Sequence, residues 1–236
     1  MRNDQRPLLP RGEVRVAPSI LSADFGFLAD EIASVAPATD WLHVDVMDGH
    51  FVPNVTIGPP VVESIRKHCD LFLDCHLMMS DPGSYLEAFA RAGADSASVH
   101  IEVGGTSDLC AQMRRLGLGV GLVVNPETPI GTAFRYLPLI DVLLVMSVHP
   151  GFGGQAFIED AVDKVAKARH EVDTRGLALT IQVDGGIDAH TGAVMAAAGA
   201  RCLVAGSAVF RSEDHLAAVR QIHEAASAAL NGGGGG

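Results

Sequence analysis

The sequence predicts a single-domain α/β protein folded as a (β/α)8 barrel of the TIM type, and three observations lead to this fold class. Eight apolar runs of strand length recur roughly every 25–30 residues, with helix-like segments between them. The runs are almost continuously apolar, which is typical of parallel strands covered by helices. The chain has 236 residues and 48% hydrophobic content, which suffices for one large core of this kind.

The predicted elements alternate along the whole chain. The strands are Val14–Ile20, Trp41–Met47, Leu71–Met78, Ala97–Val103, Val120–Val124, Val142–Val148, Thr180–Val183 and Cys202–Val209. The helices are Asp24–Ala36, Pro59–Cys69, Pro82–Ala92, Gly105–Leu116, Ile130–Leu137, Phe157–Arg175, Ala189–Ala198 and Glu213–Leu230. Prolines stand in the first turn of two helices, and four helices are expected to end at Gly93, Gly117, Gly176 and Gly199.

One domain accounts for this pattern. An open, doubly wound sheet is the structural alternative, although the GxGxxG fingerprint of dinucleotide-binding folds is absent after the first strand. No linker-like change in composition interrupts the alternation. We therefore expect one barrel domain over residues 14–230, a flexible N-terminal extension at residues 1–13 and a flexible glycine-rich tail at residues 231–236.

The composition excludes several classes of partner. The net charge is -11, so no basic excess exists to bind nucleic acid or an anionic membrane surface. No apolar run approaches the roughly 18–20 residues of a membrane span. The four cysteines form no CxxC pair and lie among apolar residues, which favours free thiols in the reducing cytoplasm. A small anionic substrate must then be held by backbone amides.

Polar side chains interrupt several predicted strands at a spacing of two, which places them on one face of each strand. They are His43 and Asp45 in the second strand, Asp74 and His76 in the third, Ser98, His100 and Glu102 in the fourth, and Gln182 and Asp184 in the seventh. Burying so many polar groups inside a barrel is tolerable only if they pair with one another or bind a cation.

A divalent metal site is one interpretation of these residues. Four of them fall at the strand ends where barrel active sites lie, namely His43, Asp45, His76 and Asp184. A hydrogen-bonded core histidine, or a simple ion pair between His43 and Asp45, is the alternative interpretation. We expect supporting or structural roles for Asp74, His100 and Glu102.

Three glycine-rich turns follow the late strands. They are Pro150-Gly151-Phe152-Gly153-Gly154-Gln155, Asp184-Gly185-Gly186 and Gly206-Ser207. Glycines let backbone amides approach an anion closely, and the N-terminus of a following helix adds a favourable dipole. Because barrels often bind phosphate with the loops after the seventh and eighth strands, these turns indicate a phosphorylated ligand.

Six segments resemble the ribulose-phosphate 3-epimerase family, and the resemblance runs from about residue 14 to about residue 230. The segments are Ala17–Asp24 (APSILSAD), His43–Asn54 (HVDVMDGHFVPN), Asp74–Met78 (DCHLM), Pro150–Gln155 (PGFGGQ), Val183–Ile187 (VDGGI) and Ala205–Phe210 (AGSAVF). The second and fourth of these are long and specific.

The resemblance implies an isomerase that holds one divalent metal ion per subunit, either zinc, iron(II), manganese or cobalt. The implied ligands are His43, Asp45, His76 and Asp184, of which Asp45 and Asp184 are also the implied acid/base pair. The implied substrate contacts are Ser19, His76, Met47, Met78, Met146, Gly151, Phe152, Gly153 and Gly154, and the implied phosphate contacts are Gly185, Gly186, Gly206 and Ser207. His149 is a departure, because the family often carries an acidic or amide residue before this proline.

The implied reaction interconverts D-ribulose 5-phosphate and D-xylulose 5-phosphate, which differ in configuration at C3. Two carboxyl groups, one ionised and one protonated, move the C3 proton through a metal-stabilised enediolate. Such enzymes serve carbohydrate metabolism, either in the pentose phosphate pathway or in the Calvin cycle. The family suggests a cytoplasmic homo-oligomer, either dimer or hexamer, with a phosphosugar substrate and no nucleic-acid or membrane partner.

Three alternative functions are weighed against this one. The first is an epimerase of the same design that acts on D-allulose 6-phosphate. The second is a lysine-dependent aldolase or decarboxylase, which needs a strand-end lysine, whereas Lys67, Lys164 and Lys167 all fall on predicted helices. The third is a non-catalytic phosphosugar-binding protein, which would be free to lose an acid/base carboxylate.

Overall fold

The computed structural model describes residues 13–232 of the chain. The predicted N-terminal extension and glycine-rich tail fall largely on residues 1–12 and 233–236, which lie outside the described residues. Within the described part, no helix is both long enough and apolar enough to cross a membrane. The four cysteines are free thiols, as the sequence predicts.

Eight parallel strands form one sheet that closes almost completely on itself, which confirms the predicted barrel. The strands are β1 (Arg15–Pro18), β2 (Trp41–Met47), β3 (Phe72–Met78), β4 (Ser96–His100), β5 (Gly119–Val124), β6 (Val142–Met146), β7 (Thr180–Asp184) and β8 (Cys202–Ala205). Their hydrogen-bonded order is β1-β8-β7-β6-β5-β4-β3-β2, and an isolated bridge between Ser19 and His43 links the two ends. The carboxyl ends of the strands therefore meet at one rim.

Helices cover the outside of the barrel. The α-helices are α1 (Leu28–Val35), α2 (Pro59–His68), α3 (Leu86–Ala92), α4 (Thr106–Arg115), α5 (Asp160–Thr174), α6 (Ala189–Ala198), α7 (Ser207–Phe210) and α8 (His215–Gly232). Short 3-10 helices occupy Ile20–Ser22, Phe25–Phe27, Ala36–Ala38, Pro82–Ser84, Ile101–Val103 and Ile130–Leu139. The four glycines expected at helix ends all have positive φ, with 97° at Gly93, 76° at Gly117, 62° at Gly176 and 121° at Gly199.

The fourth strand is shorter than the sequence predicts. It ends at His100, because Ile101–Val103 turn into a 3-10 helix that stops at Gly104 with φ 77°. Glu102 therefore lies beyond the strand and does not continue its inward face. The prediction of a strand through residue 103 was wrong at this end.

The eighth predicted strand is also too long. It ends at Ala205, and the apolar residues that follow form the short helix α7. Gly206 has φ -100° and ψ -87°, which breaks the extended backbone between the two elements. An apolar run alone does not distinguish a buried strand from a buried helix, and here it contains both.

Three predicted helices differ in form, and one of them, Pro82–Ala92, begins with the 3-10 turn Pro82–Ser84 before α3. The Asp24 side chain accepts a hydrogen bond from Gly26 N, which favours a 3-10 turn before α1 begins. The segment Ile130–Leu139 is a 3-10 helix rather than an α-helix. It contains Pro138, which has no N–H to donate within a helix.

The apolar side chains of each strand pack outward against the helices. On β2, Leu42, Val44 and Val46 belong to this outer core and are 0–2% exposed. Full burial of one such side chain contributes roughly 1.5–3 kcal/mol. The alternate residues of the same strand, His43 and Asp45, face the barrel interior.

The interior is apolar at the amino-terminal end of the strands. Trp41 stacks on Phe72 with ring centroids 4.6 Å apart, and Ala17, Cys202 and Val204 complete this cluster. The polar side chains of the interior lie above this floor, closer to the carboxyl rim.

Candidate active site

A pocket opens at the carboxyl ends of the strands, where barrel enzymes have their active sites. All residues predicted for proton transfer, substrate contact and phosphate contact line it, except His76. His76 and the other predicted histidine ligand, His43, are completely buried beside the pocket floor.

Four predicted ligand residues come together at this floor. Alternation along β2 turns His43 and Asp45 to the same side, and the parallel register sets Asp45 beside His76 on β3. Asp184 ends β7. Each residue offers one ligand atom, and these atoms all lie within 4.8 Å of one another.

The donor set fits a divalent cation. Asp45 Oδ1 lies 3.5 Å from His43 Nε2 and 3.2 Å from His76 Nδ1. Asp184 Oδ2 lies 3.9 Å and 3.7 Å from the same two nitrogens. Two imidazole nitrogens and two carboxylate oxygens of this kind suit zinc and the neighbouring first-row transition metals.

Asp74 contacts His43 at Nδ1, the ring nitrogen that faces away from the ligand cluster. Its Oδ2 lies 3.0 Å from His43 Nδ1 and also accepts a hydrogen bond of 2.8 Å from Gln182 Nε2. Its other oxygen accepts a hydrogen bond of 2.6 Å from Ser96 Oγ. Because Asp74 is ionised and can only accept, it fixes the proton of neutral His43 on Nδ1 and leaves Nε2 free toward the ligand cluster.

Ser19 orients the carboxyl group of Asp45. Its hydroxyl donates a 2.6 Å hydrogen bond to Asp45 Oδ2, so that the opposite oxygen faces the histidines. Ser19 also caps the 3-10 helix after β1, accepting from Leu21 N at 3.3 Å, which holds its own position.

The two carboxyl groups of the cluster have opposite pKa shifts. Burial disfavours the charged form of Asp45, but the charge and hydrogen bond of His43 and the contact with His76 outweigh burial and bring the pKa of Asp45 far below its ordinary range. Burial, reinforced by the negative charge of Asp45, raises the pKa of Asp184 to about 7. One carboxyl is therefore ionised at neutral pH while the other holds a proton for part of the time, the arrangement that acid/base pairs use.

The histidines also differ in charge. Burial disfavours the imidazolium form of His43, but the carboxylates of Asp45 and Asp74 outweigh burial and raise the pKa of His43 well above its ordinary value. Burial lowers the pKa of His76, despite the opposing effect of the negatively charged Asp45 beside it, so His76 is neutral at neutral pH.

Glycines form another part of the pocket lining. A Cβ atom on Gly185, which has φ 118°, would lie 2.4 Å from the Val148 side chain. A Cβ on Gly206 would lie 2.7 Å from Ser22 Oγ. The backbone therefore approaches its neighbours closely at both positions, and these turns line the pocket with backbone that carries no side chain.

Three methionines form an apolar wall of the pocket. Met47, Met78 and Met146 are 1–3% exposed and all line the pocket. Their thioether side chains carry no titratable proton. A reacting carbon placed between the carboxyl cluster and the glycine turns would lie against this wall.

Seven further lining residues had no role predicted from the sequence, and they are Leu21, Ser22, Val148, Pro150, Gln155, Ile187 and Val204. Ser22 matters most among them, because its hydroxyl lies next to Gly206 and near Gly153, between two predicted anion-binding turns. Its place just beyond the end of β1 is the signal that could have identified it. His149, marked as a departure, lies 2.8 Å from Glu127, and both side chains are more than half exposed.

Comparisons with known proteins fit this site. The family model described as "Ribulose-phosphate 3 epimerase family" matches residues 15–210. A ribulose-phosphate 3-epimerase of Synechocystis sp. is 49% identical over 208 residues, covering 86% of this chain and 90% of its own. A ribulose-phosphate 3-epimerase of Mycobacterium leprae is 48% identical over 218 residues, covering 90% of this chain and 95% of its own.

More distant solved structures share the fold. A 3-hexulose-6-phosphate synthase from Salmonella typhimurium superimposes with a TM-score of 0.68 at 18% identity, covering 93% of this chain and 100% of its own. A 3-keto-L-gulonate-6-phosphate decarboxylase from Vibrio cholerae gives 0.67 at 16% identity, covering 92% of this chain and 98% of its own. At these identities the likeness concerns the barrel alone.

Proposed function

The chain belongs to the ribulose-phosphate 3-epimerase family, and we propose that it interconverts D-ribulose 5-phosphate and D-xylulose 5-phosphate by moving the proton at C3. The observation that carries this proposal is the pair of carboxyl groups, Asp45 and Asp184, with opposite pKa shifts in one four-residue cluster. Inversion at one carbon requires a proton to leave one face and return to the other. Two carboxyl groups in opposite protonation states provide both steps.

One divalent metal ion per subunit completes the proposed site. His43, Asp45, His76 and Asp184 are its ligands, and this mixed set accepts zinc, iron(II), manganese or cobalt. When bound, the ion supplies Lewis-acid stabilisation of the negative charge that develops on the substrate oxygens next to C3. A non-catalytic binding protein would need neither acid/base carboxylate, and both are present.

The glycine turns are the proposed phosphate site. Gly185, Gly186, Gly206 and Ser207 line the pocket, and their backbone amides are the proposed donors to the phosphate. Ser22 adds a hydroxyl close to Gly206. An acidic protein can hold a dianion in this way, because amides at a helix N-terminus attract it without any cationic side chain.

The remaining lining residues position the sugar. Ser19 keeps one Asp45 oxygen directed at the cluster, as its 2.6 Å hydrogen bond indicates. The methionines exclude water from the reacting carbons and offer no competing proton donor. The loop 151–154 lines the pocket, with Phe152 54% exposed, and is the proposed further contact to the substrate.

The proposal extends to the setting of the enzyme. Four free cysteines suit the reducing cytoplasm, where a phosphosugar of the pentose phosphate pathway is available. We expect a homo-oligomer, either dimer or hexamer, which light scattering of the purified protein measures.

Asp184→Asn tests the two-carboxylate mechanism. Turnover should fall by about 100- to 10,000-fold, the usual contribution of a general acid or base. In D2O, the remaining carboxyl should exchange deuterium into C3 of only one of the two epimers, which proton NMR detects. Asp30→Asn, an exposed residue on α1, provides the matched control and should leave turnover unchanged.

Two further measurements complete this test. Metal content is determined for each variant, because Asp184 is also a proposed ligand. Exchange into both epimers, or full turnover of Asp184→Asn, contradicts the mechanism. Faster turnover of D-allulose 6-phosphate than of D-ribulose 5-phosphate would instead assign the enzyme to the alternative substrate.

A further inference from the structure

His76 is contacted at both of its ring nitrogens. Nδ1 faces the ligand cluster, 3.2 Å from Asp45 Oδ1. Nε2 lies 2.8 Å from Nε2 of His100, and the two rings are stacked with centroids 5.0 Å apart. Two imidazole nitrogens at this distance share one proton, so one ring must donate and the other must accept.

Glu102 decides which ring donates. Its Oε2 lies 3.3 Å from His100 Nδ1, and its Oε1 accepts hydrogen bonds from Asn125 N at 3.0 Å and Thr128 Oγ1 at 2.5 Å. A carboxylate can only accept, which places the His100 proton on Nδ1 and leaves His100 Nε2 as an acceptor. His76 must then carry its proton on Nε2, and its Nδ1 lone pair is free.

The anchor of this chain of hydrogen bonds is rigid. His100 is 1% exposed, and the ring of Phe51 covers it at a centroid distance of 4.5 Å. The loop that holds Glu102 is itself tied to α5, because Lys164 Nζ donates to the carbonyl oxygens of Asn125 and Thr128 at 3.0 Å and 2.8 Å. The donor at Asn125 is a backbone N–H, whose direction cannot be reversed.

Without this chain, another tautomer of His76 becomes favourable. A proton on Nδ1 would point at Asp45 Oδ1 and form a charge-assisted hydrogen bond there. That proton would occupy the direction from which a cation binds. We propose that His100 and Glu102 are positioning residues that hold His76 in its Nε2–H tautomer and thereby keep Nδ1 available to the metal ion.

In each of the two histidines, the ring nitrogen that faces away from the ligand cluster is thus held by a different partner. His43 has a carboxylate directly behind its ring, at Asp74. His76 has a second imidazole between its ring and the carboxylate of Glu102. Both arrangements fix the tautomer of a metal-binding histidine, and their loss in metal sites generally weakens binding about 10- to 100-fold.

His100→Leu and His100→Gln test the inference, which rests on the proposed metal site. Competition with a chromophoric chelator measures the dissociation constant for Co2+ in each variant. We expect about 10- to 100-fold weaker binding for His100→Leu. His100→Gln should recover much of the loss, because its amide oxygen can accept from His76 Nε2.

The tautomer itself is observable in metal-free protein. Long-range 1H–15N correlation spectra distinguish an Nε2–H imidazole from an Nδ1–H imidazole. His76 should have its proton on Nε2 in the unsubstituted protein and in His100→Gln, and on Nδ1 in His100→Leu. A merely structural role for His100 would not change the tautomer of a neighbouring ring.

Glu102→Gln reverses the chain without changing its shape. The Asn125 N–H donates to the single oxygen of the new amide, so the NH2 group of that amide faces His100. Because the NH2 group can only donate, His100 Nδ1 must accept and the His100 proton moves to Nε2. Co2+ binding should weaken as in His100→Leu. Glu127→Gln is the control, because it makes the same chemical change in the adjoining loop, two residues after Asn125. The Glu127 side chain is exposed and contacts His149, so this variant should leave Co2+ binding unchanged.

The outcomes separate this inference from the proposed metal site. If the unsubstituted protein binds no Co2+, both the metal site and the inference fail. If it binds Co2+ and loses this ability in His43→Ala, while His100→Leu and Glu102→Gln bind within about twofold of the unsubstituted protein, the site stands and the inference is wrong. An unchanged His76 tautomer in both variants leads to the same conclusion.

Discussion

Gly186→Ala tests whether the turn after β7 is shaped for a phosphate group. Gly186 has φ 63°, and a Cβ atom on it would lie 2.9 Å from Phe157 Cβ and 3.0 Å from Phe157 Cα and N. Two of these three atoms belong to the backbone, so no rotation of a side chain removes the contact. Gly176 is a matched control at the end of α5, with φ 62° and no atom within 4 Å of its Cβ position.

Both substitutions place an alanine in left-handed backbone, but only Gly186→Ala also brings its side chain against a neighbouring residue. Left-handed backbone costs an alanine about 1–2 kcal/mol, and the smaller freedom of the unfolded chain returns about 0.4–1 kcal/mol. Gly176→Ala should therefore lower the free energy of unfolding by about 1 kcal/mol. Overpacking against Phe157 adds about 1–3 kcal/mol, so Gly186→Ala should lower it by about 2–4 kcal/mol.

Only Gly186→Ala should affect the phosphosugar. Loss of one hydrogen bond to a charged group costs about 1.5–3 kcal/mol, which corresponds to a rise in KM of about 10- to 100-fold. Urea unfolding measures the stabilities, and steady-state kinetics with inorganic phosphate as competitor measures KM and the inhibition constant. If Gly186→Ala unfolds like Gly176→Ala and keeps its KM within about twofold, the turn is not a phosphate site of the kind described.

Two further predictions concern the buried cluster. In metal-free protein at pH 7, His43 is protonated and Asp184, with its pKa of about 7, holds about half a proton. Both groups must lose their protons to bind a metal ion, so binding of one Zn2+ should release about 1.5 protons. For the same reason, Zn2+ binding should strengthen as the pH rises. Calorimetry in buffers of different ionisation enthalpy counts these protons, and a value near zero contradicts the assigned states. Asp74→Asn should lower the free energy of unfolding by about 3 kcal/mol, because its amide cannot accept from three buried donors. An unchanged urea midpoint would show that these hydrogen bonds do not stabilise the fold.

The barrel and the ligand cluster were predictable from local periodicity. A side chain period of two turns His43 and Asp45 to one face of β2, and parallel pairing then brings Asp45 level with His76. The first fact follows from residues close together in sequence, and the second needs only the pairing of two consecutive strands. The remaining member, Asp184 at the end of β7, joins the cluster because the ends of distant strands meet at the carboxyl rim of a barrel.

The partners behind the ligands were not predictable in the same way. Asp74 accepts from Gln182, 108 residues away, and this pairing depends on the stagger of strands on opposite sides of the barrel. Glu102 was expected on the inward face of a strand and lies instead in a 3-10 turn. The turn changes the direction of its side chain and lets one oxygen reach the loop at Asn125 while the other stays near His100.

The charge states of the interior explain how so polar a cluster is tolerated in a buried place. Without metal and below pH 7, Asp45 and Asp74 are ionised, while His43 and Asp184 each carry a proton and His76 is neutral. The cluster then has a formal charge of minus one. A divalent ion that replaces the two protons leaves that charge unchanged. Because a change of buried charge costs several kcal/mol, the exchange of two protons for one ion would let the proposed site take up metal without destabilising the core.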